Sequence, residues 1–107
     1  MSSFDERERG EEKRFQLSQE LEFKAQARRN KNLGLWAAGL MGVTGEAADA
    51  YAKTVIAADF AEAGDDDVFR KVKGDLEAKG VHQSDHQIRA QMDELLTQAR
   101  AQVKAGT

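Results

Sequence analysis

The sequence predicts an all-α fold, a small four-helix bundle with a flexible, charged N-terminal arm. Three observations carry that expectation. The 107 residues include no proline, which disfavours loop-rich and sandwich folds and favours long helices with short joints. Apolar residues recur at helical spacings in four separate stretches, and no alternating stretch suggests a strand. Of the 43 apolar residues, 17 are alanine, so the core is thin and suits helices that approach closely through small side chains. A core of this kind gives a marginally stable domain.

The first element is the arm, residues 1–16, placed ahead of a bundle domain spanning 17–107. Within it, nine of the ten residues Asp5 to Arg14 are charged and the tenth is Gly10. Nothing between Phe4 and Phe15 can be buried. Asp5 with Arg9 and Arg7 with Glu11 support a helix, while Glu8 with Glu12 and Arg9 with Lys13 oppose it. Gly10 costs about 1 kcal/mol relative to alanine. Alone, the arm is expected to be mobile; against a partner surface it can become helical.

The ordered part is expected from about Leu17. Leu21, Phe23, Ala27, Leu33, Trp36, Ala37, Leu40 and Met41 follow helical spacing, and Gly42 ends that helix. Thr44 is the expected N-cap of a second helix whose apolar face is Ala48, Tyr51, Ala52, Val55, Ile56 and Phe60, closed by Gly64. Trp36 and Tyr51 are expected in the core between these two helices. Asp65, Asp66 and Asp67 suit the positive start of a short third helix, with Phe69, Val72 and Leu76 facing inward and Gly80 at its end. Ser84 and Gln87 form an S-x-x-Q capping box for a fourth, whose stripe is Ile88, Met92, Leu95, Leu96, Ala99 and Val103. Four such helices with short joints make an antiparallel bundle.

Composition narrows the function. Sixteen basic and nineteen acidic residues give a net charge of −3, the wrong sign for a general nucleic-acid binder, so no nucleic-acid partner is expected. The absence of cysteine excludes disulfides, thiolate zinc sites and thiol catalysis. No run approaches the roughly 20 apolar residues of a membrane span. The charged start lacks the apolar stretch of a secretory signal, so the cytoplasm is the expected compartment.

Motifs with chemical potential have plainer explanations. His82 and His86 stand at i and i+4, but Ser84 caps the helix between them, so they are expected in an exposed polar turn with no metal. Asp65–Asp67 lacks the alternating ligands and central glycine of a calcium loop. Gly42, Thr44 and Gly45 lack the lysine of a phosphate loop. Lys24, Arg28, Arg29 and Lys31 put four positive charges in eight residues; a solvated face or a protein contact accounts for them, while a nucleic-acid role would require steeply salt-dependent binding. No serine, histidine and acid stand near a recognisable catalytic turn. The residues offer no active site, and no enzyme is expected.

Three stretches resemble a small alphaproteobacterial family, the zeta subunit that inhibits F-type ATP synthase. The first is Phe4–Asp5–Glu6–Arg7–Glu8, leading to Phe15. The second is Phe23–Lys24–Ala25, Ala27–Arg28–Arg29–Asn30–Lys31 and Leu33–Gly34–Leu35–Trp36–Ala37–Ala38. The third comprises Ala57–Ala58–Asp59–Phe60, Gly64 through Val72, and Ser84–Asp85–His86–Gln87–Ile88–Arg89. The resemblance spans nearly the whole chain in order.

That resemblance implies a regulatory inhibitor whose arm enters a catalytic α/β interface of the ATP synthase head near the γ subunit. It blocks hydrolysis there while synthesis continues, and the protein lies at the periphery of the inner membrane through its partner. The family pattern places Phe4, Asp5, Arg7, Glu8, Glu12 and Phe15 in the arm. It also implies weak ATP/ADP binding to the bundle, at no site that a motif locates, and no required cofactor. Gly10 and Glu11 depart from the pattern, where a better helix former and a less acidic residue are usual, and both weaken a bound helix. The alternative expectation is a nucleotide-binding helical module with reduced or lost inhibitory activity.

Overall fold

The computed structural model describes residues 2–59 and 65–106, with side chains described for residues 18–59 and 65–106. It contains four helices: α1 (Ser2–Leu40), α2 (Gly45–Ala58), α3 (Asp66–Ala78) and α4 (Asp85–Lys104). No strand occurs among the described residues, and the all-α bundle is as the sequence predicts. The first helix, expected from about Leu17, is described from Ser2 and so includes the backbone of the expected arm. The side chains of residues 1–17, and Phe60 and Gly64 at the expected end of the second helix, lie outside the described residues.

The helix ends follow local chemistry. Gly42, at φ 75°, lets α1 close with paired hydrogen bonds, from Gly42 N–H to the Gly39 carbonyl at 3.2 Å and from Val43 N–H to the Ala38 carbonyl at 2.8 Å. Gly80, at φ 73°, closes α3 in the same way through the carbonyls of Glu77 and Leu76. This left-handed C-terminal motif satisfies carbonyls that the helix itself cannot. At the start of α4 the predicted capping box is complete: Ser84 Oγ accepts from Gln87 N–H at 3.1 Å, and Gln87 Oε1 accepts from Ser84 N–H at 2.9 Å. Thr44 occupies the N-cap position of α2 with extended backbone, but its hydroxyl makes no capping bond. Asp65 likewise stands at the N-cap of α3 without capping it, because its carboxylate is engaged elsewhere.

α1 is the element on which the others assemble. It packs against all three, most extensively against α2 and α4, and α2 does not meet α4 among the described residues. α2 runs back along α1, so that Ala52 meets Gly34 and Asp59 meets Asn30. A Cβ added to Gly34 would stand 2.6 Å from Ala52 Cα, so these two backbones touch at a point only glycine permits. α3 begins beside Arg29, and α4 returns antiparallel to α1 until Arg100 lies against Glu22.

The core occupies the half of the bundle where α1 ends. Leu33, Ala37, Val55, Val68, Phe69, Val72, Leu76, Ile88 and Met92 form one buried cluster, with Trp36, Met41, Tyr51, Val81 and Leu95 packed against it. The predicted stripes of α3 and α4 are recovered, and Val68 is an addition. Four residues change place. Trp36 and Tyr51 are half-buried at the margin of the core rather than inside it. Phe23 is 62% exposed and Leu40 38% exposed. Both stand two residues from a buried alanine, Ala25 and Ala38, and two residues of helix turn a side chain about 200°, to the far face.

Candidate functional site

The six arm residues singled out by the sequence, Phe4, Asp5, Arg7, Glu8, Glu12 and Phe15, have side chains outside the described residues. What the structure shows is the root from which they extend, because the arm is the N-terminal part of α1 itself.

From Ser18 to Arg28, the described pairings of α1 across the bundle run to α4. Arg100 grips Glu22 with two parallel bonds, Nε to Oε2 at 2.9 Å and Nη2 to Oε1 at 2.6 Å. This fork-to-carboxylate geometry is the strong form of an ion pair. The guanidinium holds the Glu22 carboxyl below its ordinary pKa, and the carboxylate raises that of Arg100 in return. Arg28 donates to Gln102 at 3.3 Å. Between these polar contacts Ala25 and Ala99 are fully buried. Ser18, Leu21, Glu22, Arg100, Val103 and Lys104 line a shallow cleft of about 210 Å³ at the seam.

One turn above, the bundle contains a polar cluster that sequence reasoning missed. Arg29 and Asn30 are each 1% exposed. Arg29 Nε donates to Asn30 Oδ1 at 2.7 Å and its Nη2 donates to Asp65 Oδ1 at 2.8 Å. Asn30 Nδ2 donates to Asp59 Oδ2 at 3.0 Å. Two neighbouring residues of α1 therefore hold the C-cap of α2 and the N-cap of α3. Arg29 keeps the Asp65 carboxyl below its ordinary pKa against the opposing effect of burial. The basic cluster expected as one solvated face or protein contact is thus divided. Arg29 turns inward to Asn30 and Asp65, while Lys24 and Lys31 are exposed. The only hint in the sequence was two acids, Asp59 and Asp65, far along the chain from an arginine within an otherwise ordinary charged stretch.

The other flagged motifs resolve into structural contacts. Asp66 accepts from Arg89 at 2.8 Å and Asp67 from Arg70 at 2.5 Å, so the acidic run serves three different arginines. Arg89 also lies over the Phe69 ring, 4.0 Å from its centroid. His82 and His86 are exposed, and no group of three or more metal-ligating side chains occurs among the described residues. No described helix is long and apolar enough to cross a membrane.

Comparison with known proteins decides the family. The profile described as ATPase inhibitor subunit zeta matches residues 1–102. The chain belongs to the ATPase inhibitor subunit zeta family. The matched residues extend from the arm into the last turn of α4, so both the arm and the bundle lie within the family match. A protein solved by solution NMR is 46% identical, with a TM-score of 0.71 over 81% of this chain and 99% of its own. No functionally curated protein matches the sequence. Zeta family membership gives the chain an inhibitory, regulatory role toward an ATPase.

Proposed function

We propose that this protein inhibits the F-type ATP synthase by inserting its N-terminal arm at a catalytic α/β interface near the γ subunit, blocking ATP hydrolysis. The observation that carries the reading is continuity. The zeta family match begins at residue 1, and the segment it begins with is one helix with the spine of the bundle. The bundle is then a handle and the arm the working end. Phe4 and Phe15 are eleven residues apart, close to three helical turns, which puts both rings on one side of a bound helix. They anchor in pockets of the enzyme while Asp5, Arg7, Glu8 and Glu12 meet complementary charges. In the cell this holds the chain in the cytoplasm at the periphery of the inner membrane through its partner.

The test is ATP hydrolysis by purified F-type ATP synthase. Full-length protein inhibits; a variant lacking residues 1–15 keeps the helical circular dichroism of the bundle and does not inhibit. Gly10→Ala lowers the half-inhibitory concentration by up to about fivefold, because it removes about 1 kcal/mol of helix penalty. A truncated protein that inhibits like the parent excludes the arm. The alternative, a weak adenine-nucleotide-binding module with reduced or lost inhibitory activity, predicts saturable ATP or ADP binding in equilibrium dialysis together with hydrolysis rates at or near those of the enzyme alone.

A further inference from the structure

The arm's direction is decided where α1 leaves the core. Above Arg29, α1 is held by α2 through the Gly34–Ala52 contact and by the buried Arg29–Asn30 cluster. Below it, the described hydrogen bonds from α1 to the rest of the bundle run to α4, and the last of them toward the arm is the Glu22–Arg100 fork. The apolar cover of this seam is slight: Ala25 and Ala99 are buried, Leu21 and Val103 only partly, and a cleft remains between them. A contact made chiefly of alanines resists sliding and twisting poorly, whereas a planar two-bond fork fixes both distance and orientation.

We propose that Arg100 is a positioning residue for inhibition: by clamping Glu22 to the end of α4 it fixes the angle at which the arm leaves the bundle. This rests on the arm being the inhibitory element. From Glu22 to Ser2 the helix is about 30 Å long at about 1.5 Å per residue, so a tilt of about 10° at the clamp carries the tip by about 5 Å. That displacement exceeds the tolerance of any ring-in-pocket contact. The clamp acts before binding on the root of the helix that the arm continues once it folds against the enzyme, narrowing the directions in which the arm leaves the bundle. Its loss reduces the fraction of molecules ready to bind, and so slows association while leaving dissociation alone.

The experiment follows the onset and decay of inhibition of purified F-type ATP synthase by the full-length chain, at a temperature where every variant is folded by circular dichroism. Arg100→Ala and Glu22→Ala each slow the onset by about fivefold, the scale of a well-formed ion pair, and leave the decay after dilution unchanged. Arg100→Lys keeps charge and helix propensity but not the fork, so it matches the parent in thermal stability yet still slows onset. The exchange Glu22→Arg with Arg100→Glu restores it. Parent-like onset in Arg100→Ala overturns the proposal, and so does faster decay, which would make Arg100 a contact to the enzyme. If removal of residues 1–15 leaves inhibition intact, the arm reading itself has failed, a result these variants cannot produce.

Discussion

Arg29 and Asp65 are joined at 2.8 Å, the guanidinium wholly buried and the carboxylate at the N-cap of α3 still partly wet. The pair therefore works in one direction more than the other. Removing Asp65 strands a buried cation, whereas removing Arg29 leaves an acid that water can reach. Asp65→Ala should cost about 3–5 kcal/mol, and Arg29→Ala less, its loss coming mainly from the space vacated. Urea midpoints of the two variants measure the difference.

The same pair sets acid sensitivity. Arg29 lowers the folded-state pKa of Asp65, and Arg100 does the same for Glu22. Carboxylates depressed in the folded state add stability above their unfolded values, near 4, and lose it as pH falls through the folded values. Stability should thus be flat from pH 7 to about 5 and decline below about 4. In Asp65→Asn that decline is shallower, read from urea melts across the range.

Gly34 and Gly74 make a matched comparison within helices. At Gly34 a methyl group meets backbone, Ala52 Cα at 2.6 Å, while at Gly74 nothing lies within 4 Å. Gly34→Ala should destabilise by about 1–3 kcal/mol as α2 is pushed off α1. Gly74→Ala should stabilise by about 0.5–1 kcal/mol through helix propensity alone. Opposite shifts of thermal midpoint are the expected result.

Two caps give a second pair. Ser84 makes its capping bond and Thr44 does not. Ser84→Ala should cost about 1 kcal/mol, and Thr44→Ala only a few tenths of that scale. Chemical denaturation of both variants against the parent checks it.

Tyr51 is the single tyrosine, so its titration can be followed without assignment. Burial raises its pKa well above the ordinary 10, and donation to the Asp75 carboxylate at 2.8 Å adds to the shift. The folded protein should show no phenolate absorbance near pH 10, and stability should fall above it as the unfolded chain ionises first. Tyr51→Phe removes that alkaline loss.

Helix number, both glycine stops and the capping box were legible because each rests on a few adjacent residues. Gly42 and Gly80 need only the turn before them, and Ser84 needs only Gln87. The stripes of α3 and α4 were legible for the same reason, since each meets the core along one face. α1 was harder to read. It changes neighbours along its length, so Phe23 and Leu40 fit a helical spacing yet face outward. Arg29 was missed because its partner is 36 residues away, and nothing in a run of four cations marks which one turns in. The arm residues were chosen by resemblance and composition, and their role stands as the proposal above.

The touch between Gly34 and Ala52 has a mechanical consequence. If the arm, once helical against a rotating partner, is pushed or twisted, that load enters the bundle along the axis of α1. It arrives where α1 and α2 lie side by side, so it falls on many contacts at once as shear rather than opening them singly. Two helices in backbone contact at Gly34 and Ala52 resist sliding past each other, and the bond from Asn30 to Asp59 at the end of α2 holds that register. Under that reading, a chain of about 12 kDa would spread an axial load along the α1–α2 contact rather than concentrate it at one bond.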